Sequence, residues 1–292
     1  MLDVVVVSYN SRNELRGCVA SICREDWVNV IVVDNASPDD SLAAVEDLPV
    51  TRIQLDVNVG FARGCNTGWQ RGVAPYVLFL NPDARIDAAS LRRLTRVLDE
   101  EPGIGIAGPR IVDDRGELEF SIRRFPRLAS TYAQALFLHR VWRTALWADD
   151  VVREPEPYRS AHTAEWLSGA CLVIRRSLLE KLEGFDEGFF MYCEDKDLCR
   201  RAWAQGFAVR YEPDAVAVHI GGGGASAPRG ELLPVLASSR IRYAGKHRRN
   251  IAALGERFGV ALGSLTHAAV GQGGLRTRLD HVRAFVAAIR AP

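Results

Sequence analysis

The sequence predicts an α/β protein with a mostly parallel central sheet flanked by helices, followed by a helical C-terminal region. Three observations carry this. Short continuous apolar runs recur through the first half, capped segments with helical spacing separate them, and the residues that end the runs are almost all polar or acidic.

Taken in order, "LDVVVVS" (2–8), "VNVIVVD" (28–34), "TRIQL" (51–55), "YVLFL" (76–80) and "IGIAG" (104–108) read as strands covered on both faces. Between them, "SRNELRGCVASIC", "PDDSLAAVEDL", "ARGCNTGWQRG" and "AASLRRLTRVLDEE" carry helical spacing, with Asn10 or Ser11, Ser37 and Asp87 as N-caps. After Pro109 the pattern becomes a hairpin, "RIVDDRGELEFSI", and then a polar, proline-containing stretch to about residue 163, expected as a long surface excursion. A second group follows: strand "AEWLSGACLVIR", helix "RSLLEKL", helix "EDKDLCRRAWAQ" ending at Gly206, and strands "FAVRYEP" and "AVAVHIGG". From about Pro228 the chain reads as helices, including the basic amphipathic "LRTRLDHVRAFVAAIR".

The 292 residues suffice for one large domain or two small ones, and 48% hydrophobic with 25% charged residues is a globular composition. With 37 Lys and Arg against 36 Asp and Glu and no basic repeat, nothing advertises a nucleic-acid partner. The six cysteines, Cys18, Cys23, Cys65, Cys171, Cys193 and Cys199, have no CxxC spacing, which points to reduced thiols in the cytoplasm and away from a structural zinc. The opening "MLDVVVVSYN" lacks a basic flank and is expected to be neither signal peptide nor anchor. No run reaches the roughly 20 apolar residues of a spanning helix.

In an open parallel sheet, ligands bind at the carboxyl ends of the strands. Asp34 ends "VVDNAS", where a dinucleotide fold would use it on a ribose. The first strand lacks the GxGxxG that such a fold requires, so NAD falls away and Asp34 with Asn35 is left for a base or ribose contact or a simple turn cap. "NVGFARGCNTG" places Arg63 and Asn66 among glycines, with Gly60 and Gly64 allowing close approach of a ligand. In "YVLFLNPDA" a buried strand emerges at Asn81-Pro82-Asp83. Asp83 suits a hard divalent ion such as Mg²⁺, Asn81 suits a ribose of the nucleotide or a sugar hydroxyl, and the same tripeptide is also an ordinary turn. His219 ends another strand beside a glycine run and matters only if it converges with Asp83. "FFMYCEDKDLCRRA" sets Glu194, Asp195 and Asp197 at a helix start, where the helix dipole alone would favour acids.

The ordered set "VVVVSYN", "VVDNAS", "NVGFARGCNTG", "LFLNPDA", "WLSGACLVIRR", "GFDEGFFMYCEDKDLCRRA" and "YEPDAVAVHIGG" resembles the inverting glycosyltransferases of family 2, which have the A-type (GT-A) nucleotide-diphospho-sugar transferase fold, and among them bacterial rhamnosyltransferases. The resemblance covers about residues 2 to 225. It implies a catalytic domain over 1–227, with a nucleotide-binding half to about 109 and an acceptor half beyond it, and a helical extension over 228–292. It implies that Asp34 contacts a pyrimidine base, with Ser8, Asn10 and Asn35 nearby and Arg63 and Asn66 in a loop closing over the nucleotide. Asn81 and Asp83 match the D-x-D element. Asn81 departs from it by one charge, and Asp83 with His219 would hold Mg²⁺ or Mn²⁺. Trp166 and Gly169 match the wall under donor sugar and acceptor; Arg200, with Arg201 on the helix behind the base, is expected at this pocket assisting the phosphates, with at least one of the two solvated. Asp195 matches the general base, with Glu194 and the aromatic residues Phe189, Phe190 and Tyr192 raising its pKa, and Asp197 is expected to pair with Arg201.

The expected reaction is transfer of rhamnose or another deoxyhexose from a dTDP- or UDP-sugar to a hydroxyl of a glycan or glycolipid. A nucleotidyltransferase and a non-catalytic sugar- or partner-binding domain are the competing classes. "TYAQALFLHRVWRTALW" and the C-terminal basic helix mix Trp, Phe and Leu with Arg, which suits contact with the inner face of a membrane, or alternatively a core or homodimer helix.

Overall fold

The computed structural model describes residues 1–220, 230–270 and 274–291. The glycine run Gly221 to Gly224 and the expected domain boundary near Pro228 lie outside the described residues. In chain order the strands are β1 (Leu2–Ser8), β2 (Val28–Asp34), β3 (Thr51–Gln54), β4 (Tyr76–Leu80), β5 (Ala84–Ile86), β6 (Ile104–Val112), β7 (Ile122–Arg123), β8 (His162–Ala164), β9 (Trp166–Leu167), β10 (Cys171–Arg175) and β11 (Ala208–His219). The helices are α1 (Arg12–Ala20), α2 (Phe61–Trp69), α3 (Ala88–Glu100), α4 (Leu128–Ala135), α5 (Arg176–Leu182), α6 (Glu194–Ala204), α7 (Leu233–His247), α8 (Asn250–Val270) and α9 (Leu275–Arg290).

Two compact units result: Met1–Arg123 with Pro155–Gly188 and Glu194–Ala225, and Arg124–Glu154 with Phe189–Cys193 and Ser226–Pro292. The first holds every strand. Its main sheet runs β3-β2-β1-β4-β10-β6-β11-β5, with β8 added on β11, while β7 and β9 form a small second sheet. The first four strands are parallel, in the register Leu2↔Val28 and Leu2↔Tyr76. Then β10 enters antiparallel to both β4 and β6, so the sheet is mixed beyond β4.

The valine run of β1 is buried because both of its faces are covered. Val4 and Val6 lie in one core with Leu15 and Cys18 of α1 and Leu91, Leu94 and Leu98 of α3. On the other face Val5 and Val7 meet α2, and they do so through glycine. A Cβ on Gly68 would lie 2.3 Å from Val5 Cγ1, and one on Gly64 would lie 2.8 Å from Val7 Cγ1. Gly64 is therefore used for helix–sheet packing rather than ligand approach, and "FARGCNTGW" is a helix rather than a loop.

At the amino end of β1, buried Asp3 accepts from Arg176 Nη2 at 2.6 Å, from Ala74 N at 2.8 Å and from Asn29 Nδ2 at 2.9 Å. Arg176 also donates to Trp69 O at 3.1 Å and Ala74 O at 2.5 Å. Breaking a buried pair of this kind typically costs about 3–5 kcal/mol, because the surviving charge stays buried without its counter-charge.

In the second unit α4 packs on α8, with Thr131 Oγ1 donating to Glu256 at 2.8 Å and Tyr132 OH donating to Gly255 O at 2.9 Å. Part of the expected surface excursion is thus core of this unit. Glu256, buried on α8, also pairs with Arg240 of α7 at 3.1 Å. A shared core of Ala237, Ile241, Val260, Ala261, Ala284 and Ala288 joins α7, α8 and α9.

Gly68→Ala should lower stability by about 1–3 kcal/mol through overpacking against Val5. A urea midpoint unchanged from the parent would show that β1 and α2 can separate at no cost.

Candidate active site

At the carboxyl ends of β1 and β2, Ser8 and Asp34 face one another in register. Both are buried, and their outer atoms are unused: Ser8 Oγ and Asp34 Oδ1 have no hydrogen-bond partner. Asp34 Oδ2 accepts from Ser37 N at 3.0 Å, so the carboxylate is held by one oxygen and offers the other. Buried polar atoms are rarely left unsatisfied unless something else completes them. Asn10, exposed and in the left-handed region (φ 54), lies just beyond and donates its backbone N–H to Ser37 Oγ.

Asn35 and Asn66, expected to contact the nucleotide, are both engaged by the protein itself. Asn35 is spent on the 58–60 segment: its amide donates to Asn58 Oδ1 and Gly60 O and accepts from Val59 N. Asn66 uses all four of its hydrogen-bond positions. Its Nδ2 donates to Phe185 O and Glu187 Oε1, and its Oδ1 accepts from Phe185 N and Trp69 Nε1. Arg63, one turn earlier on α2, pairs with Glu187 at 2.9 Å and is half-exposed, so it sits on a helix surface rather than in a closing loop.

The turn between β4 and β5 carries Asn81 and Asp83, and β5 pairs with the end of β11 so that Ala84 stands opposite His219. His219 Nε2 lies 3.2 Å from Asp83 Oδ1 and 3.4 Å from Asn81 Nδ2. Its Nδ1 lies 3.0 Å from Glu119, which is buried and was not singled out in the sequence. In the hairpin pattern Glu119 reads as a solvated acid. The sign that could have exposed it is its place between Leu118 and Phe120, opposite the bridge from Val112 to Leu118. Burial by itself would lower the His219 pKa, but the carboxylates of Asp83 and Glu119 outweigh it and hold the imidazole up at about 9.

A divalent ion fits this arrangement. A carboxylate behind one imidazole nitrogen, with the other nitrogen beside a second carboxylate, is the usual support of a metal-bound histidine, and the ion would take the place of the proton. Among the described residues no group of three or more His, Cys, Asp and Glu side chains forms a cage. The fit is therefore of the two-ligand kind, Asp83 and His219, completed by phosphate oxygens and water.

The acids of α6 divide by environment. Asp197 is fully buried and pairs with Arg201 at 2.7 Å, whose other nitrogens bond Leu182 O and Gly184 O; this is a structural clamp. Asp195 is only partly buried. Its Oδ2 accepts from Gly169 N at 2.9 Å and its Oδ1 from Lys196 N at 2.7 Å. A Cβ on Gly169 would stand 3.1 Å from Asp195 Cβ, so glycine is what lets this backbone amide reach the carboxylate. Burial raises the Asp195 pKa above the ordinary carboxylate range, while these two amides and the charges of Lys196 and Arg123 oppose the rise. Glu194 is more deeply buried, its Oε2 has no hydrogen-bond partner, and burial together with the neighbouring Asp195 raises its pKa. Geometry separates the two acids: Asp195 is held by two backbone amides and is partly open, placed to take a proton from a ligand, whereas Glu194 is enclosed beside it.

Trp166 lies across from this carboxylate on β9, with Lys196 Nζ 5.7 Å and Arg123 Cζ 5.8 Å from its ring centroid. Lys196 and Arg123 were not anticipated as neighbours of the site. Arg200 is exposed, about 140° round the helix from Asp195, and is not directed with it. The expected aromatic wall also changes: Phe190 is exposed, and Phe189 packs instead with Cys193 and Tyr243 in the second unit. Immediately before Glu194, Tyr192 (φ 68) and Cys193 (φ 69) are consecutively left-handed, a costly conformation for non-glycine residues.

A sheet whose parallel half ends in orphaned acceptors, followed by an acid–histidine pair and a buried diacid, defines the A-type nucleotide-diphospho-sugar transferase class. Solved structures share the fold. A mannosyltransferase of Pyrobaculum calidifontis in complex with GDP-Man and Mn²⁺ superposes with a TM-score of 0.59 at 16% identity, covering 99% of this chain and 87% of that one. Staphylococcus aureus TarS (residues 1–349) with UDP-GlcNAc gives 0.55 at 17% identity, over 99% and 81%. The glycosyl transferase family 2 model matches residues 3–183. An N-acetylglucosaminyl-diphospho-decaprenol L-rhamnosyltransferase of Mycobacterium tuberculosis is 32% identical over 234 residues, 75% of this chain and 76% of its own. Rhamnosyltransferase WbbL of Escherichia coli is 28% identical over 148 residues, 49% of this chain and 52% of its own. The chain belongs to glycosyltransferase family 2 and, within it, resembles rhamnosyltransferases. It is a glycosyltransferase, which removes the nucleotidyltransferase and non-catalytic readings.

Asp195→Asn should reduce transfer by about 10²–10⁴-fold while nucleotide binding, read by thermal shift, stays near that of the parent. Glu194→Gln, which imitates the neutral acid, should retain activity within roughly tenfold. Equal loss in both variants would contradict the division of roles. EDTA should switch activity off and Mg²⁺ or Mn²⁺ restore it; turnover indifferent to EDTA would remove Asp83 and His219 from metal binding.

Proposed function

We propose that the chain is an inverting transferase that moves rhamnose, or a related deoxyhexose, from a dTDP- or UDP-sugar to a hydroxyl of a lipid-linked glycan. Asp195 acts as the general base. The observation that carries this reading is the carboxylate of Asp195, fixed by the amides of Gly169 and Lys196, set beside the buried Glu194 and still partly open to a ligand.

In this mechanism Ser8 Oγ and Asp34 Oδ1 take up the base or ribose of the donor, which satisfies two buried polar atoms. Trp166 and Gly169 form the floor for the sugar rings. Asp195 accepts the acceptor hydroxyl's proton as that oxygen bonds to the anomeric carbon, and the bond from that carbon to the diphosphate breaks on the opposite face. A single displacement of this kind inverts the anomeric configuration. A divalent ion on Asp83 and His219 would neutralise charge developing on the departing nucleoside diphosphate. Glu119 keeps the His219 ring turned toward Asp83.

The similarity to an enzyme named for a diphospho-decaprenol substrate supports the choice of a lipid-linked acceptor. Because Asp195 must be ionised to accept a proton, activity should fall as the pH drops through its raised pKa. The acid limb of the rate profile should therefore lie above the ordinary carboxylate range. A panel of nucleotide sugars scored by thermal shift and by nucleoside diphosphate release tests the donor. dTDP-rhamnose should give the largest shift and release dTDP; turnover only with a UDP- or GDP-hexose would overturn the deoxyhexose assignment.

A further inference from the structure

The second unit carries an amphipathic surface that its own packing does not use. On α9 the inward face is Asp280, Ala284 and Ala288, all buried. Directly opposite, Leu275, Leu279, Val282, Val286 and Ile289 recur at helical spacing, with relative exposures of 77, 51, 45, 39 and 54%. The helix has no glutamate, and its single aspartate, Asp280, is buried, so every exposed charged carboxylate or guanidinium on it is an arginine: Arg276, Arg278, Arg283 and Arg290. By helical rotation these flank the apolar stripe, Arg278 on one side and Arg276, Arg283 and Arg290 on the other. On α8, Ile251, Leu254, Phe258 and Leu265 likewise form an exposed stripe opposite the buried Glu256, Val260 and Ser264. The same unit exposes Trp142 and Trp147, with ring centroids 5.6 Å apart, in a segment that also carries Arg140 and Arg143.

We propose that the outer faces of α8 and α9, with the Trp142–Trp147 segment, form a docking surface for the headgroup region of a bilayer containing anionic lipid. An apolar stripe bordered by arginines, with exposed indoles in the same unit, matches a surface that is apolar below and negatively charged above. Arg276 pairs with the exposed Glu231 and Arg283 with Asp280, so the charge offered to a bilayer centres on Arg278 and Arg290; a protein partner would be expected to meet acids along the helix, and α9 itself offers no exposed acid. No helix among the described residues is long and apolar enough to cross a membrane, so the chain would lie on the surface. This inference does not rest on the donor or acceptor assigned above.

The test is co-sedimentation of the full chain with phosphatidylglycerol–phosphatidylcholine vesicles and with phosphatidylcholine vesicles alone, at low and raised salt. Binding should require phosphatidylglycerol and weaken with salt. Arg278→Gln with Arg290→Gln should weaken it roughly tenfold or more, and Leu279→Glu with Val286→Glu should abolish it. All four positions are exposed, and an unchanged melting temperature and unchanged nucleoside diphosphate release from the donor in the presence of a soluble acceptor analogue would confirm intact variants. Absence of binding to anionic vesicles would overturn the proposal. So would a dimer in light scattering that the Leu279→Glu, Val286→Glu variant splits without any vesicle binding by the parent. Failure of the donor panel would leave the vesicle result standing on its own.

Discussion

The site depends on a tie at the opposite end of its sheet. Asp3 opens β1, and through one buried carboxylate it joins β2 at Asn29, the lead into β4 at Ala74, and Arg176 at the start of α5. Arg176 adds the end of α2 at Trp69. Four segments distant in sequence, around Asp3, Asn29, Trp69 to Ala74 and Arg176, are thus gathered at the amino ends of the central strands. With that end closed, the carboxyl ends of β1, β2 and β4 open side by side, and their terminal residues, Ser8, Asp34 and Asn81, are gathered at one edge of the sheet. The two ends of the strands show opposite hydrogen-bond economies. At the closed end both oxygens of Asp3 have partners; at the open end Ser8 and Asp34 each leave an atom unsatisfied.

Glycine is used twice in the same physical sense, once for stability and once for chemistry. Gly64 and Gly68 let α2 press against Val7 and Val5, and Gly169 lets a backbone amide reach the side chain of Asp195. The amide is rigid where a side-chain donor would have rotamers to lose, so it fixes the carboxylate at little entropic cost. It also favours the ionised form. The result is a carboxylate poised between burial, which discourages its charge, and two backbone dipoles, which restore it.

The strands of the nucleotide half were legible because doubly covered strands must be apolar throughout, and "LDVVVVS" and "YVLFL" leave no other reading. Their polar ends were legible for the same reason: an acid closing such a run has to face something. What could not be read was direction, since "CLVIR" is equally apolar in either sense and β10 entered antiparallel. "TRIQL" was expected to be covered on both faces and is a largely exposed edge, and "PDDSLAAVEDL" gives only a short 3-10 helix at Ser41–Val45. "FAVRYEP" and "AVAVHIGG" proved to be one strand, β11, with a register shift between Glu212 and Val216. Glycine spacing suggested a ligand loop around Asn66, whereas the amide of Asn66 is saturated by Phe185, Glu187 and Trp69. Glu119 escaped notice because its partner, His219, lies 100 residues away, and spacing says nothing about contacts at that range.

The separation of Asp83 and His219 has a consequence for how such a centre changes over time. Neither side chain is placed by its own loop. Ala84 pairs with His219, and Ile220 N donates to Asp83 O at 2.9 Å, so the bite between the two donors is inherited from a ladder of backbone bonds. A slip of a single residue would turn His219 to the other face of the sheet and erase the pair at one stroke. Replacing either side chain while keeping the ladder would preserve the spacing and alter only the hardness of the donor. The centre is therefore open to gradual retuning of which ion it prefers but closed to gradual relocation, because distance here is quantised by the pleat.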